Sequence, residues 1–456
     1  MSISGETIQP INVDVFVAGG GTAGCMAAIA AARTGAKVVL VEKLPVPGGT
    51  LANGGIGVSS FYSQNVDPDK ASRIVGGLPY EMISRLIDAG GATSFARTPD
   101  NPQRNAYRVV ADHEAYKAVV CKMLIEAGVK VLLNTLVTEV ETDGNDIKCV
   151  HIQNRSGHSI YVAKSYIDAT GDGDLAKRFG VEQLDMTQGK ECPTGMVFGI
   201  SGIDWDRVLK ENGRIFHALC DENANEHGVV CKNYIFAPGY APQKYGMMKS
   251  LEGIKIMSFQ VNHPGEATYV NLSKGEMVDG TDVEALSAAE MRMRVRIFDI
   301  VNDLKKYVPG FENAYLSWAS IQLGVRISYI NKCDHSISQE EIEAGKRFED
   351  EIGLYGFHDL AVKDGENAGI GGDGYYGFPY RMILPQGCDN LYVVGRSVTE
   401  EYAAHMSTRN TVGCMIMGQA AGVAASLCAR DDCKTRQLAY PVLREELLKQ
   451  EVILNV

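Results

Sequence analysis

Hydrophobic and polar positions along the chain switch between two periods. Residues 13–18, VDVFVA, form a short apolar run suited to a buried strand, and residues 37–41, KVVLV, repeat it. Between them residues 22–34 are alanine-rich and predict a helix, so residues 13–41 predict one strand–helix–strand unit. Residues 112–127, DHEAYKAVVCKMLIEA, carry helical apolar spacing and end before Gly128, after which VKVLLN predicts another strand. The runs LVTEVETD, DIKCVHIQNR and HSIYVAKSYIDATGDGD follow, separated by the turn signals DGND and RSGH. They predict an antiparallel meander that returns to a parallel strand near Tyr166 to Ala169.

After residue 180 the periodicity fades into segments richer in glycine, aromatics and methionine, and it resumes at NLYVVGR (390–396) and GCMIMGQAAGVAASLCAR (413–430). The expected fold is therefore α/β: a Rossmann-like nucleotide domain from residues 11–180 and 385–432, interrupted by an α+β substrate domain at 181–384. Residues 433–456 are expected to form a helical tail.

The junction between the first strand and helix reads GGGTAG. Gly19, Gly21 and Gly24 give GxGxxG spacing, in which the first glycine permits the tight turn, the second admits a pyrophosphate to the backbone and the third lets helix and strand pack closely. Glu42 ends the second strand, where a carboxylate can accept hydrogen bonds from ribose hydroxyls. The alternative to a dinucleotide site is tight packing alone.

The charge balance is 44 − 56 = −12, and no basic patch stands out, so nucleic acid is not an expected partner. The polar start MSISGETIQP lacks a signal-peptide pattern, and no apolar run reaches the ~18 residues of a membrane span. The eleven cysteines are scattered, with no CxxC pair or Cys/His cluster at metal spacing, so they read as free thiols of a cytoplasmic protein with no metal site.

A second glycine loop, PGGTLANGGIG (47–57), follows Glu42, and DATGDGD (168–174) and NLYVVGR (390–396) lie further along. With these the chain resembles FAD-dependent oxidoreductases of the glutathione-reductase-like flavoprotein fold. VPGFENAYL (308–316), QLGVRISY (322–329), FPYRMILPQGCDNLYVVGRSV (378–398) and AAHMSTRNTVGCMIMGQAAGVAA (403–425) are similar to a bacterial family of FAD-dependent oxidoreductases, related in fold to fumarate reductase and succinate dehydrogenase flavoproteins. The resemblance implies FAD. It assigns cofactor contacts to Gly19, Gly21, Thr22, Ala23, Gly24, Glu42, Lys43, Gly48, Gly49, Thr50, Val137, Thr170, Gly171, Asp172, Gly395, Arg396, Gly413, Cys414 and Met415.

By the same analogy, the helix beginning near Gly413 points free N–H groups at the flavin N1 and O2. Just upstream, EEYAAHMSTRN gathers Tyr402, His405, Arg409 and Asn410. Tyr402 or His405 can carry a proton during hydride transfer, and Arg409 can hold a substrate carboxylate; a structural histidine and a surface ion pair are the alternatives.

Weaker signals are His263 and Tyr269, which read as strand residues flanking a turn at Pro264-Gly265, with Tyr329 a reserve proton carrier. Arg292, Arg294 and Arg296 read as solvated or salt-bridged, Cys192 as a lone thiol, and GGDGYYGFPYR (371–381) as a mobile loop whose Tyr375 and Tyr376 can lid the pocket.

The expected function is an oxidoreductase moving hydride between flavin N5 and a small organic substrate, possible carboxylates among them. The alternatives are a fumarate-reductase-like reductase of an activated C=C bond and a flavoprotein using FAD structurally or without redox change. Electrons would be exchanged with O2, a quinone, a nicotinamide or a separate protein.

Overall fold

The computed structural model describes residues 9–54, 58–64, 70–97, 107–185, 192–212, 216–218, 223–224, 230–236, 248–273, 275–357 and 369–455. Its first sheet is built around β1 (Ile11–Ala18), which pairs in parallel with β2 (Val38–Val41) on one side and with the long strand Gly157–Asp168 on the other. β3 (Lys130–Leu132) extends the sheet in parallel beyond β2. β4 (Leu136–Asp143), β5 (Asp146–Asn154) and β6 (Gly157–Asp168) form an antiparallel meander.

Only the first part of β6 pairs with β5, from Gly157 to Tyr161. Where the meander peels away, β7 (Leu391–Val393) takes the vacated edge and runs parallel to Tyr166–Asp168. β1 and β2 are apolar because both faces are covered: Val15 to Ala18 and Val39 to Leu40 have no exposed surface.

Helices α1 (Thr22–Arg33) and α5 (Thr411–Asp431) pack against each other and both against this sheet, and both are buried for most of their length. Small residues are required because the two backbones nearly touch. A Cβ on Gly418 would stand 2.2 Å from the Ala23 carbonyl oxygen, and one on Gly422 would stand 2.2 Å from that of Ala27. α5 is long and apolar enough to cross a membrane by composition, yet its apolar window is wholly buried, which is the surrounding of a core helix. The remaining labelled helices are α2 (His113–Glu126), α3 (Val283–Tyr307) and α4 (Tyr402–Thr408).

A second core involves residues from Met196 to Leu323. There an antiparallel sheet contains the strands Phe198–Ser201, Lys255–Val261, Glu266–Ser273 and Tyr315–Ala319. α3 buries Ala289, Met293, Ile297, Ile300, Val301 and Leu304, a stripe at helical spacing, in this core.

Among the described residues, the buried hydrophobics from Ile337 to Leu384 belong to the first core and not to the second. Ile337, Ile352, Leu354, Tyr355, Tyr376 and Phe378 pack with the nucleotide domain. The cause is a hairpin, Glu351–Tyr355 against Tyr376–Pro379, that sits directly on α5: a Cβ on Gly353 would be 2.3 Å from Ile416.

The same hairpin corrects the reading of residues 371–381 as a lid. Tyr375 is 5% exposed and Tyr376 1%, and the Tyr376 hydroxyl bonds the Ser407 hydroxyl at 2.7 Å. Glycine and tyrosine there serve tight turns and core packing.

The two cores meet at the N-terminus of α2. The Tyr269 hydroxyl donates to the Ala111 carbonyl at 2.8 Å and accepts from the His113 backbone N–H at 2.7 Å. The Trp318 ring lies 4.2 Å from the His113 ring, and His263 Nε2 is 3.3 Å from Asp112. Arg292 pairs with Glu276, Arg294 with Glu290, and Arg296 donates to the Ser250 carbonyl. Tyr329 carries the Lys177 ammonium 3.6 Å above its ring.

Candidate active site

At the carboxyl ends of β1 and β6 the three motif glycines do different work. Gly19 has φ +91°, and a Cβ on it would stand 2.5 Å from the Ala169 carbonyl oxygen, so both backbone conformation and close approach exclude a side chain. A Cβ on Gly24 would overlap the Gly19 carbonyl oxygen at 1.8 Å, which is the close packing of α1 on the turn. Gly21 is different: a Cβ there would meet nothing nearer than 3.9 Å, so it borders open space. It is also the N-cap of α1, which starts with no capping side chain and no acid in its first turn. The free N–H groups and positive end of α1 are left for an external anion.

The second glycine loop is stacked on the first. The Gly48 N–H donates to the Gly20 carbonyl at 2.7 Å, the Thr22 hydroxyl donates to the Gly48 carbonyl at 3.2 Å, and a Cβ on Gly49 would lie 2.8 Å from Gly21 Cα. Thr50 and Ala23 sit in the first turns of their helices. Residues 55–57 of this loop lie outside the described residues.

Glu42 is buried at the end of β2. Its Oε2 accepts from the Gly20 N–H at 2.6 Å and its Oε1 from the Leu44 N–H at 2.8 Å, which aims the carboxylate and leaves lone pairs for hydroxyl donors. Beside it opens a cleft of about 70 Å³ lined by Gly19, Val41, Glu42, Lys43, Thr135, Leu136, Val137, Thr170, Asp174 and Arg178. Of these, the sequence had pointed to Gly19, Glu42, Lys43, Val137 and Thr170. Thr135, Leu136, Asp174 and Arg178 arrive through the return of the meander. An uncapped helix start, open space over Gly21 and a carboxylate at a ribose-sized cleft together fit a dinucleotide such as FAD.

Asp172 serves the protein's own cations. It accepts from Ser328 at 2.8 Å, pairs with Arg396 and lies 3.5 Å from Lys43 Nζ. Burial raises its pKa, but Arg396, Lys43 and Ser328 together outweigh this and hold the carboxyl below its usual range. Arg396 donates further to the Val325 carbonyl at 2.9 Å, and Gly171 packs against its guanidinium. Gly395, at φ +94°, turns the chain out of β7.

Beyond that turn lie α4 and the start of α5. Tyr402, the first residue of α4, is 49% exposed. His405 is fully buried, with Nε2 3.1 Å from the Arg326 carbonyl oxygen. A carbonyl only accepts, so Nε2 carries the proton and Nδ1, which makes no hydrogen bond, is left as an acceptor. Burial, then the charges of Arg409 and Arg396, push the His405 pKa down to about 3 against the pull of the Arg326 and Thr399 carbonyls. His405 is thus a neutral imidazole at physiological pH.

Arg409 is half-buried, with Nη2 3.5 Å from the Met406 sulfur. Asn410 is the N-cap of α5, but its side chain turns back to the Met406 and Ser407 carbonyls, so α5 also starts with no capping side chain. Gly413 is held by packing, its Cβ position lying 2.6 Å from the Thr408 carbonyl oxygen. The Cys414 thiol, pushed up to about 12 by burial, donates to the Arg409 carbonyl, and Met415 is fully buried. The side chains of both residues therefore face the core, and the Cys414 backbone N–H is taken by the Asn410 carbonyl at 2.9 Å, so the free N–H groups of this helix start are those of Thr411, Val412 and Gly413.

Two short-range facts make this one site. α1 and α5 are locked side by side by Gly418 and Gly422, and both start without a side-chain cap near the carboxyl edge of the sheet. One start follows Gly19 at the cleft beside Glu42, and the other borders His405 and Arg409.

This chain is similar in part to several known proteins. An alignment 196 positions long, covering 37% of this chain, is 28% identical to NADH:fumarate oxidoreductase of Klebsiella pneumoniae (strain 342) and covers 21% of that protein. An alignment 189 positions long, covering 40% of this chain, is 28% identical to digeranylgeranylglycerophospholipid reductase 1 of Methanosphaera stadtmanae and covers 44% of it. The matched parts thus span about a fifth and under half of these relatives. Among solved structures, a geranylgeranyl bacteriochlorophyll reductase-like protein of Thermoplasma acidophilum is 12% identical, with a TM-score of 0.46 over 98% of this chain and 85% of that one. The p-nitrophenol 4-monooxygenase of Pseudomonas putida DLL-E4 is 11% identical, with a TM-score of 0.45 over 96% and 88%. Residues 14–447 match the family described as FAD dependent oxidoreductase. This chain belongs to that family, and its cofactor is FAD.

Proposed function

We propose that this chain moves a hydride between FAD and a small organic substrate that lies against the segment from Tyr402 to Asn410. FAD, when bound, supplies the hydride acceptor or donor at N5. The observation that carries the reading is a neutral, buried His405 beside Arg409 at the uncapped start of α5. The Arg409 guanidinium holds a substrate carboxylate or polarises a carbonyl. With its Nε2–H tied to Arg326, His405 stays neutral and accepts a hydrogen bond at Nδ1. Tyr402 stands at the solvent mouth. The first N–H groups of α5 stabilise negative charge on the flavin ring, those of α1 hold the pyrophosphate, and Glu42 holds the ribose.

The unit from Met196 to Leu323 is proposed as the substrate-side domain, docked through Tyr269 and Trp318. Cytoplasm is the proposed location: among the described residues, nine cysteines are free thiols.

A second reading, reduction of an activated C=C bond, draws on the partial match to NADH:fumarate oxidoreductase and on the arginines around His405. One experiment separates these readings. Purified protein is denatured to identify its nucleotide, and native protein is then titrated anaerobically with candidate 2-hydroxy, 2-amino and saturated carboxylates. Bleaching of the flavin band supports dehydrogenation. Reoxidation of dithionite-reduced protein by an unsaturated carboxylate instead supports C=C reduction. A flavin that responds to neither class refutes the carboxylate reading.

A further inference from the structure

A cluster on the meander, away from the residues assigned to hydride transfer, is built like a metal site. Cys149 and His151 are two apart on β5 and share a face, and Glu141 on β4 is the register partner of Cys149. His151 Nε2 is 3.0 Å from Glu141 Oε1 and 3.7 Å from Cys149 Sγ, and the three ligand atoms all lie within 4.8 Å of one another. A tetrahedral zinc ion with bonds of about 2.0–2.3 Å needs neighbouring ligand atoms about 3.4–3.6 Å apart. The distances from His151 therefore already lie close to the edges of such a tetrahedron.

The fourth side chain is His158 on β6, whose Nε2 is 3.0 Å from His151 Nδ1. Two proton arrangements satisfy these contacts. In one, His158 donates to His151, and the Nε2–H of His151 donates to Glu141. In the other, His151 Nδ1–H donates to His158, which turns the Nε2 lone pair toward a carboxylate and a sulfur. That second arrangement needs a cation at the centre, and it matches the way a metal-bound histidine is held by a partner on its other nitrogen.

We propose that Glu141, Cys149 and His151 bind a divalent zinc-like cation, with His158 positioning His151. Sulfur, imidazole and carboxylate together select zinc over magnesium or calcium, and three protein ligands leave a fourth position for water. Cys149 and His151 are mostly buried, whereas the Glu141 side chain is 41% exposed, which leaves a path for the ion. As the sulfur–metal bond forms, the Cys149 proton passes to solvent; no electrons move. Lys148, 3.1 Å from Glu141, stands on the second carboxylate oxygen and leaves Oε1 to the metal.

The test uses full-length, FAD-loaded protein stripped with a chelator. Zinc uptake is measured by equilibrium dialysis and elemental analysis, and Co2+ is used as a spectroscopic probe. One zinc per chain at micromolar free metal is expected, together with a thiolate-to-cobalt band. Cys149→Ser should abolish the band and weaken zinc binding at least 10-fold, and His158→Ala should weaken it by about 10- to 100-fold. FAD content and circular dichroism report whether each variant is folded, and Glu141→Gln, at a partly exposed position, provides a variant least able to disturb the core. No zinc uptake by the wild type, or uptake unchanged in Cys149→Ser and Glu141→Gln, overturns the proposal. The hydride-transfer reading is unaffected by either result.

Discussion

Replacing Gly21 by valine separates a glycine kept for a ligand from one kept for packing. Gly21 has φ −70° and ψ −171°, a conformation valine adopts without strain, and a Cβ there would find no protein atom closer than 3.9 Å. The folded protein without cofactor should therefore lose only the difference between glycine and valine at an N-cap, about 1 kcal/mol or less. FAD meets the new side chain where its pyrophosphate must approach the backbone. Overpacking of about 1–3 kcal/mol in the complex translates to a dissociation constant raised about 5- to 150-fold.

The contrast is Gly24→Ala, whose single methyl would sit 1.8 Å from the Gly19 carbonyl oxygen and 3.1 Å from Ala169 Cβ. Here the helix must lift from the turn, so stability without cofactor and FAD affinity should fall together. The assay is reconstitution of apoprotein with FAD, followed by quenching of flavin fluorescence, beside thermal unfolding of both apoproteins. If Gly21→Val binds FAD as tightly as wild type, or if it unfolds as early as Gly24→Ala, the assignment of Gly21 to the pyrophosphate is wrong.

His405→Ala should keep FAD and slow flavin reduction by substrate by about 5- to 150-fold, the cost of about 1–3 kcal/mol for a lost hydrogen-bond acceptor; loss of FAD would move His405 to the cofactor site. Because its folded pKa is lowered to about 3, His405 should add no inflection near pH 6.5 to the kcat/KM profile of the wild type, and an inflection that disappears in His405→Ala would contradict the buried, neutral ring. Asp172→Asn leaves Arg396 and Lys43 without their shared carboxylate; with 27% of that side chain exposed, the cost at pH 7 should be about 1–2 kcal/mol by denaturant unfolding. Since the folded pKa of Asp172 is lowered, its contribution is present above the ordinary carboxylate range and fades as pH falls through the lowered value, so wild type and variant should converge in acid. Tyr269→Phe strands a backbone N–H and a carbonyl at the contact between the two cores and should cost about 1–3 kcal/mol in the same measurement.

What could be read from the sequence was local along the chain. The tight packing at Gly19 and Gly24 follows from a strand, a turn and a helix in immediate succession, and the same succession brings the Glu42 carboxylate onto the Gly20 N–H. β7 was legible as an apolar run, but its place beside β6 depends on where the meander leaves that strand. Thr135, Leu136, Asp174 and Arg178 join the cleft from two connections that sequence spacing does not relate. For the same reason Cys149, His151 and Glu141 escaped a search for metal spacing: two of the ligands face a third across a strand pair. Residues 371–381 misled because glycine and tyrosine suit both a loose loop and a tight hairpin, and the deciding partner, Glu351–Tyr355, lies elsewhere in the chain.

The backbone contact between α1 and α5 also governs when this protein can exist during synthesis. Ala23 meets Gly418, so one wall of the nucleotide domain is translated nearly four hundred residues after the other. At about 5–20 residues per second the N-terminal strand–helix unit leaves the ribosome roughly 20–80 s before its covering helix. Throughout that interval the apolar face of α1 and the open edge of β6 have no native cover. Closing so long a loop adds little equilibrium cost, since each doubling of length costs about 0.6 kcal/mol, but it is slow and exposes the nascent chain to aggregation. A truncated product ending before β7 would carry the whole glycine fingerprint and still lack the layer that seals it, making it a natural client of chaperones and proteases.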